Sequence, residues 1–328
     1  MVKIGIIGAG NMGKLHASLI KKQERGYVTA VYDSDKERAI ALAKQYQAIS
    51  YSEIDDFLDS GISMVFITVP NTKHAQFASK ALKRNLDVFV EKPLATNLKD
   101  AHELVKITRE SGKKLFVGLN RRFAPIYVEA KNIIESTNFK PININIIQND
   151  GDMRNPPWAT DINLTGGFLY DTTVHFLDMA EYLIGPINEI SAVSSKAFYP
   201  ITDGFAILLK FSENDGRKRF GLISSCGYAS WISPFERVQV VGDHRSVITE
   251  ELDYIRHGLN ESLIVEAKEF AKLPYEEKWG YSQMHKHIFD SLEFGFSAIN
   301  NVEVGARTIE LISACEKSAM SDGIFINV

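Results

Sequence analysis

Two cysteines, Cys226 and Cys315, are all that 328 residues contain, too few for a disulfide framework. With no secretory signal, they are expected to be free, buried thiols in a reducing compartment. No window approaches the roughly 20 consecutive apolar residues that a membrane helix needs. The apolar opening "MVKIGIIGAG" is too short for a signal h-region with a cleavage site, so a first strand explains it better. There is no long Lys/Arg run, and the formal net charge is −4, which argues against a general nucleic-acid surface. Repeats and low-complexity linkers are missing too. What these absences leave is a cytoplasmic, soluble protein with neither a membrane nor a nucleic acid as partner.

The chain is long enough for about two domains of roughly 100–200 residues each, and its rhythm changes once. Up to about Asn120, short apolar runs alternate with stretches of helical period. The runs are at 2–7, 28–33, 64–69, 87–91 and 114–119, and the helical stretches at 11–22, 35–46, 72–84 and 97–111. Ser52 with Asp55, Asn71-Thr72, and Asn97 supply helix-start signals. Nearly continuous apolar strands joined by helices indicate an α/β, doubly wound parallel sheet covered on both faces. Beyond Arg121, a helix-like "APIYVEAKNIIES" leads into a run where Ile142, Ile144 and Ile146 alternate with polar residues. Further alternation at 188–199, 203–211, 217–226 and 236–249 predicts an antiparallel sheet, with a hairpin turn at Asn214-Asp215-Gly216. Helices are expected at 167–184, 260–271, 281–297 and 303–321. The domains are therefore read as 1–120 and 121–328.

"IGIIGAGNMG" carries Gly8, Gly10, Asn11, Met12 and Gly13 as G-x-G-x-x-G between an expected strand and an expected helix. Gly8 permits the tight turn, Gly10 lets a pyrophosphate approach the backbone, and Gly13 lets helix and strand pack closely. Alone the motif is weak, but here a βαβ unit follows and an acid, Asp33, ends its second strand. Asp33 can accept hydrogen bonds from adenosine ribose hydroxyls and repel a 2′-phosphate, favouring NAD over NADP. Its plainer reading is a helix N-cap, which Ser34 or Asp35 could equally serve.

"VEKPLATN" places Lys92 at the end of another apolar run, where ligands of open parallel sheets bind. Pro93 disfavours the α region for Lys92, and a cis Lys-Pro bond would fix it further. By itself this is equally a surface lysine at a strand exit. "GGFLYDTTVHFLDMAEYLIG" (166–185) sets Asp171 and His175 four apart, hence on one helix face. A histidine beside apolar residues is commonly a packed core residue. An acid one turn earlier can instead orient it and support its charged form, and imidazole exchanges protons near neutrality. His285, His287 and Asp290 look like metal ligands, but i and i+2 do not share a helix face, so a solvated helix face is expected and no metal. His16 reads as a packed, hydrogen-bonded residue whose end could approach the crevice.

Together, "GAGNMGKLHA", "EKPLATN", "GGFLYDTTVHFLD", "VPNTKHAQFASKAL", "GLNRRFAPIY" and "GYSQMHKHIFDSLEFG" resemble the glucose–fructose oxidoreductase, inositol dehydrogenase and rhizopine-catabolism (Gfo/Idh/MocA) family of NAD(P)-dependent oxidoreductases across essentially the whole chain. The resemblance implies a Rossmann domain followed by a C-terminal α/β domain with a large, open, mostly antiparallel sheet. The sheet's open face would serve as a subunit interface in a homodimer or homotetramer. It also implies hydride transfer between NAD and a secondary carbinol of a cyclic polyol or sugar, with inositol 2-dehydrogenase-like members nearest through "RRFAP", "MRNPP" and "DTTVH". Lys92, Asp171 and His175 would surround the reacting carbinol. Thr68, Pro70, Asn71 and Glu91 would line the nicotinamide half of the cofactor, with His74 either beside it or merely packed. Arg122, Arg154, Asn155, Trp158 and Tyr281 are the polar groups expected to read the substrate, and the two arginines could also clamp a sugar acid. Met153 stands where the inositol enzymes are expected to carry a substrate-touching histidine, which separates the chain from inositol itself. The alternatives are a non-catalytic dinucleotide sensor, or a redox-assisted glycosidase or imine/enone reductase on the same fold.

Overall fold

The structure is a computed structural model and describes residues 1–154, 156–214, 216–230, 235–258 and 266–328. Strand and helix alternate through β1 (Val2–Ile7), α1 (Asn11–Gln23), β2 (Gly26–Tyr32), α2 (Lys36–Tyr46), β3 (Ile49–Tyr51), α3 (Ile54–Leu58), β4 (Met64–Ile67), α4 (His74–Lys83), β5 (Asp87–Val90), α5 (Leu98–Ser111) and β6 (Leu115–Val117). The six strands form one parallel sheet in the order β3-β2-β1-β4-β5-β6. Ile4, Ile6 and Ile7 of β1, every residue of β4, and Val88 to Val90 of β5 are fully buried. Their side chains alternate sides, so both faces of the sheet are covered, which explains the unbroken apolar runs. Asp35 caps α2 by accepting the N–H groups of Glu37 and Arg38, and Asn97 caps α5 by accepting that of Asp100.

The chain continues through α6 (Pro125–Ser136), β7 (Asn143–Asn149), a short α7 (Ile162–Thr165), α8 (Val174–Ile184), β8 (Ile187–Ser195), β9 (Gly204–Asn214), β10 (Arg217–Cys226), β11 (Glu236–Gly242), β12 (Arg245–Glu250), β13 (Tyr254–Gly258), β14 (Glu266–Glu269), α9 (Tyr275–Lys278), α10 (Tyr281–Phe294), α11 (Val302–Ala319) and β15 (Ile326–Asn327). Among the described residues, nine strands form a second sheet in the order β14-β13-β12-β11-β7-β10-β9-β8-β15. Only β7 and β10 pair in parallel; the other neighbours are antiparallel. Ile144 and Ile146 of β7 are fully buried, as their alternation requires.

Two compact units result. One takes residues 1–119 and 282–309, the other 120–281 and 310–328. In the first, α10 returns to the parallel sheet. Arg25 pairs with Asp290 at 2.6 Å and with Glu293. The Lys114 ammonium donates to the carbonyl oxygens of Ser291 and Phe296, each at 2.7 Å. Asn300 exchanges hydrogen bonds with Val117, two of them at 2.8 Å, at the open edge of β6.

Three expectations are corrected. The alternating run 236–249 is two strands, β11 and β12, joined at Asp243 and His244, both with positive φ (52° and 56°). Within the helix expected at 260–271, residues 266–269 are strand β14, paired with β13, and 260–265 lie outside the described residues. The helix expected at 167–184 begins with a π-helical turn, Leu169–Thr173, before α8. The hairpin joins antiparallel β9 and β10; Asp215 lies outside the described residues. Both cysteines are free, and no helix among the described residues is long and apolar enough to cross a membrane.

Candidate active site

In the first unit, the strand order reverses between β1 and β4, the place where open parallel sheets bind ligands beyond their carboxyl ends. Four segments singled out in the sequence leave adjacent strands there: the glycine loop after β1, Asp33 after β2, Thr68 to Asn71 after β4, and Glu91-Lys92 after β5. Gly8 has φ +97°, and a Cβ on it would stand 2.5 Å from the Thr68 carbonyl oxygen. A Cβ on Gly13 would lie 2.0 Å from the Gly8 carbonyl oxygen, whereas one on Gly10 would meet nothing within 4 Å. The loop is closed on the sheet side and open over Gly10. Gly10 is also the N-cap of α1 and brings no side chain to its first turn, so the N–H groups at Asn11, Met12 and Gly13 face outward as a cradle for an anion. The residues fit a dinucleotide pyrophosphate.

Asp33 braces this cradle. One of its oxygens accepts the Ala9 N–H at 2.7 Å and the other the Asp35 N–H at 2.8 Å. The cap role belongs to Asp35, which is also bound by Arg38 at 2.8 Å. Thr68 Oγ1 supports the loop from below, 2.8 Å from the Gly8 carbonyl oxygen. His74, fully buried, has Nδ1 2.6 Å from the Pro93 carbonyl oxygen and Nε2 2.9 Å from that of Val69. Burial pushes its pKa below the ordinary value despite these carbonyl oxygens. A neutral ring donates only one of the two hydrogen bonds at a time. His74 thus ties the turn after β4 to the loop after β5 and is packed inside the unit. Pro70 and Asn71 open the short turn that leads into α4.

The Lys92–Pro93 peptide bond is cis. Lys92 donates its backbone N–H to the Glu91 carboxylate at 3.1 Å. Burial pushes the Glu91 carboxyl up, but its contacts with His16 and with Lys92 outweigh it and hold the group below its ordinary range.

In the second unit, Gly166 and Gly167, at φ +80° and +115°, turn the chain into the π-helical segment. There the Val174 N–H reaches back to the Leu169 carbonyl oxygen, and such π-turns recur at functional positions. Asp171 sits in this turn, half-buried, and His175, 9% exposed, in the first turn of α8. Side chains between them tie the segment to the sheet. Thr172 Oγ1 donates to Asp150 at 3.0 Å, and Thr173 Oγ1 lies 2.8 Å from Ser225 Oγ, which bonds Gln148. Asp150 follows β7 directly, so the Asp171/His175 pair is anchored at the carboxyl ends of the parallel strands β7 and β10.

The polar groups expected to read the substrate fall into different surroundings. Arg122 grips Asp178 through three contacts of 2.7–3.0 Å and lies over the Tyr182 ring. Arg154, mostly exposed, is bound by Asp152 at 2.8 Å, and that arginine holds the Asp152 carboxyl well below its ordinary range. Trp158 is 52% exposed and Tyr281 9%; Asn155 lies outside the described residues. Met153 is buried, with its sulfur directly over Gly227. Among the described residues no group of three or more His, Cys, Asp or Glu could hold a metal. Instead of a solvated face, His285 is fully buried; His287 accepts the Ile299 N–H at 3.2 Å, and Asp290 pairs with Arg25 and Lys286.

Sequence reasoning missed Asp203, which is fully buried and accepts the N–H groups of Ala197, Phe198 and Tyr199 at 2.7–3.1 Å. That turn places the Tyr199 hydroxyl on the Met153 N–H at 3.0 Å and so shapes the segment carrying Arg154. The turn-prone "YPITDG" was the available signal.

Residues 2–119 match the profile of the Gfo/Idh/MocA oxidoreductase family, NAD-binding Rossmann fold, and residues 140–326 match that family's C-terminal alpha/beta domain. The chain belongs to this family, and its first 119 residues carry the family's NAD-binding domain. It is 33% identical over 208 residues to the oxidoreductase YrbE of Bacillus subtilis, covering 62% of this chain and 59% of that one. It is 32% identical over 197 residues to scyllo-inositol 2-dehydrogenase (NAD(+)) of the same organism, covering 59% and 56%. These matches span less than two-thirds of either relative. A solved levoglucosan dehydrogenase, in complex with NADH and levoglucosan, superposes with a TM-score of 0.90 at 18% identity over 100% of this chain and 99% of that one, a likeness of fold.

Proposed function

We propose that the chain is an NAD-dependent dehydrogenase that oxidises, reversibly, a secondary carbinol of a cyclic polyol or sugar. The observation that carries the reading is the set of neighbouring strand ends in the first unit. A phosphate cradle, a ribose-reading acid and a lysine on a cis-proline loop leave β1, β2 and β5 at the point of strand reversal. Bound NAD supplies the two-electron acceptor. Asp33 receives the adenosine ribose hydroxyls and its charge disfavours a 2′-phosphate, so NAD is preferred over NADP. His175 takes the proton from the substrate hydroxyl, and Asp171 orients its ring or holds a neighbouring hydroxyl. Lys92 donates to the reacting oxygen and offsets the negative charge that develops there. Arg122 and Arg154 are already matched to Asp178 and Asp152, which favours a neutral polyhydroxylated ring over a sugar acid. The buried Met153 offers no polar contact at the position that sets inositol enzymes apart.

A second copy of the chain is the proposed partner. Val193, Leu208, Leu222, Phe220 and Ile147 share one face of the nine-stranded sheet by their register, and each is at least 36% exposed. Contiguous apolar area of this kind marks an interface.

A panel of polyols and sugars with NAD, followed by the absorbance of reduced nicotinamide, tests the activity. His175→Ala is expected to lower turnover about a hundredfold or more while NADH binding is retained. Unchanged turnover refutes the assignment of His175, and NAD binding without turnover on any substrate refutes the dehydrogenase reading.

A further inference from the structure

Three buried side chains of the first unit form one line of hydrogen bonds behind the Lys92 loop. Glu91 Oε2 accepts the Lys92 N–H at 3.1 Å, and Glu91 Oε1 lies 2.7 Å from His16 Nε2. His16 Nδ1 lies 2.8 Å from His285 Nε2. Both histidines are fully buried, and Glu91 is 7% exposed. The two imidazole rings are within 18° of parallel with centroids 5.1 Å apart. Phe66 and Phe89 close around them, 5.6 and 4.8 Å from the His16 ring.

This arrangement dictates where the protons sit. An ionised carboxylate only accepts, so His16 carries its proton on Nε2. In the neutral ring Nδ1 is then a bare acceptor, and His285 presents Nε2–H to it. That leaves His285 Nδ1 without a proton, and it has no hydrogen-bond partner among the described residues. The chain of donors runs one way, from α10 through α1 to the residue before Lys92.

We propose that His285 and His16 form a buried relay that pins the Glu91 carboxylate on the backbone N–H of Lys92, making both histidines positioning residues for that lysine. The proposal rests on the reading of Lys92 as donor to the reacting oxygen. Gly118 completes the seat: a Cβ there would stand 2.7 Å from Glu91 Oε2 and 3.0 Å from the Lys92 nitrogen. Burial, and secondarily His16, pushes the His285 imidazole well below its ordinary pKa, so it stays neutral and keeps its direction. The groups facing Glu91 are His16 from α1, Lys92 on the same loop, and His74 from α4, whose own ionisation Glu91 and Lys92 both influence; His285 reaches it only through His16. Without His16, burial governs Glu91, and its carboxyl takes up a proton at higher pH.

The test compares the wild-type chain with His16→Leu. Nitrogen-15 NMR of the histidine rings reports tautomers, carbon-13 NMR reports the Glu91 carboxyl, and NAD binding and kcat are followed between about pH 6 and about pH 8.5. Both wild-type rings are expected as Nε2–H tautomers, with His285 neutral throughout this range. In His16→Leu the Glu91 midpoint should rise by about one unit or more, and kcat should gain an acidic limb of about tenfold, with NAD affinity at high pH within about twofold of wild type. An Nδ1–H tautomer on either ring, a His285 ring that titrates in this range, or a pH-independent loss in His16→Leu overturns the relay. The wild-type tautomers decide the matter even if the variant does not fold. If no polyol is oxidised by the wild type, the assigned reaction fails, while the NMR measurements still decide the relay.

Discussion

Replacing Glu236 by Gln probes the most deeply buried ion pair of the second unit. Glu236 is 0% and Arg121 5% exposed at the side chain. Arg121 reaches the carboxylate through Nε at 3.0 and 3.2 Å and Nη2 at 2.9 Å, and Tyr127 donates its hydroxyl at 2.7 Å. Burial pulls the Arg121 guanidinium down, but Glu236 outweighs it and keeps the cation in place. Gln preserves the volume, yet it removes the counter-charge and turns a donor toward a donor. Removing one partner of such a pair costs about 3–5 kcal/mol. The Trp279 ring, 4.1 Å from the guanidinium carbon, still holds the cation and contributes about 1–2 kcal/mol, so the lower end, about 3 kcal/mol, is expected. For a unit of this size that is about 6–12 °C in Tm. Trp158 and Trp279 lie in the second unit, and the third tryptophan, Trp231, falls within its span of sequence, so tryptophan fluorescence during urea unfolding reads it selectively. Arg121→Met with Glu236→Leu and Tyr127→Phe removes every charge and orphaned donor and should recover most of the loss. A Glu236→Gln midpoint within about 0.5 kcal/mol of wild type would falsify the reasoning.

Gly13→Ala is expected to weaken NAD binding by about a hundredfold, because its Cβ meets the Gly8 carbonyl oxygen at 2.0 Å and opens the cradle by a cost of about 3 kcal/mol; NADH fluorescence titration checks it. Acid should destabilise the first unit: His74 and His285 have folded pKa values depressed below 6.5, so the unfolded chain takes up protons first as pH falls. Stability is then flat above pH 6.5 and drops below it, by up to about 1.4 kcal/mol per pH unit for each ring. Urea midpoints that stay constant from neutral pH to about pH 5.5 contradict this. Phe220→Glu places a charge in the middle of the exposed apolar sheet face and is expected to shift the mass measured by light scattering toward the monomer; an unchanged mass excludes that face as the interface.

Strong period and strong punctuation made much of the fold legible. The parallel strands read as unbroken apolar runs because both faces are covered, and Asn97 marked the start of α5 as a true cap. What escaped notice lacked such marks. β3 has only three residues; Ser52 with Asp55 did signal a start beside α3, but its cap is Glu53, which makes no side-chain hydrogen bond. The turn between β11 and β12 uses Asp243 and His244 in the left-handed region rather than glycine. "EAKE" at 266–269 has helical composition, yet pairing with β13 decides its state. A π-turn leaves no trace in a 3.6-residue period. The candidate site divides the same way. The glycine loop, Asp33 and Lys92 are local motifs, while the partners of His16 and Arg122 come from 269 and 56 positions away, beyond any local pattern.

The stretch 282–309 has a consequence for recombining this protein with its relatives. The family's NAD-binding profile stops at residue 119, and a cofactor-swapping chimaera would naturally be cut there. Such a graft would bring a new His16, Arg25 and Lys114 but leave the old His285, Asp290, Glu293 and Ser291 to meet them. A donor segment that differs at any of these contacts would arrive with orphaned cations and a broken hydrogen-bond line beneath the lysine loop. The heritable cofactor module of this chain is therefore two blocks of sequence, 1–119 and 282–309, exchanged together.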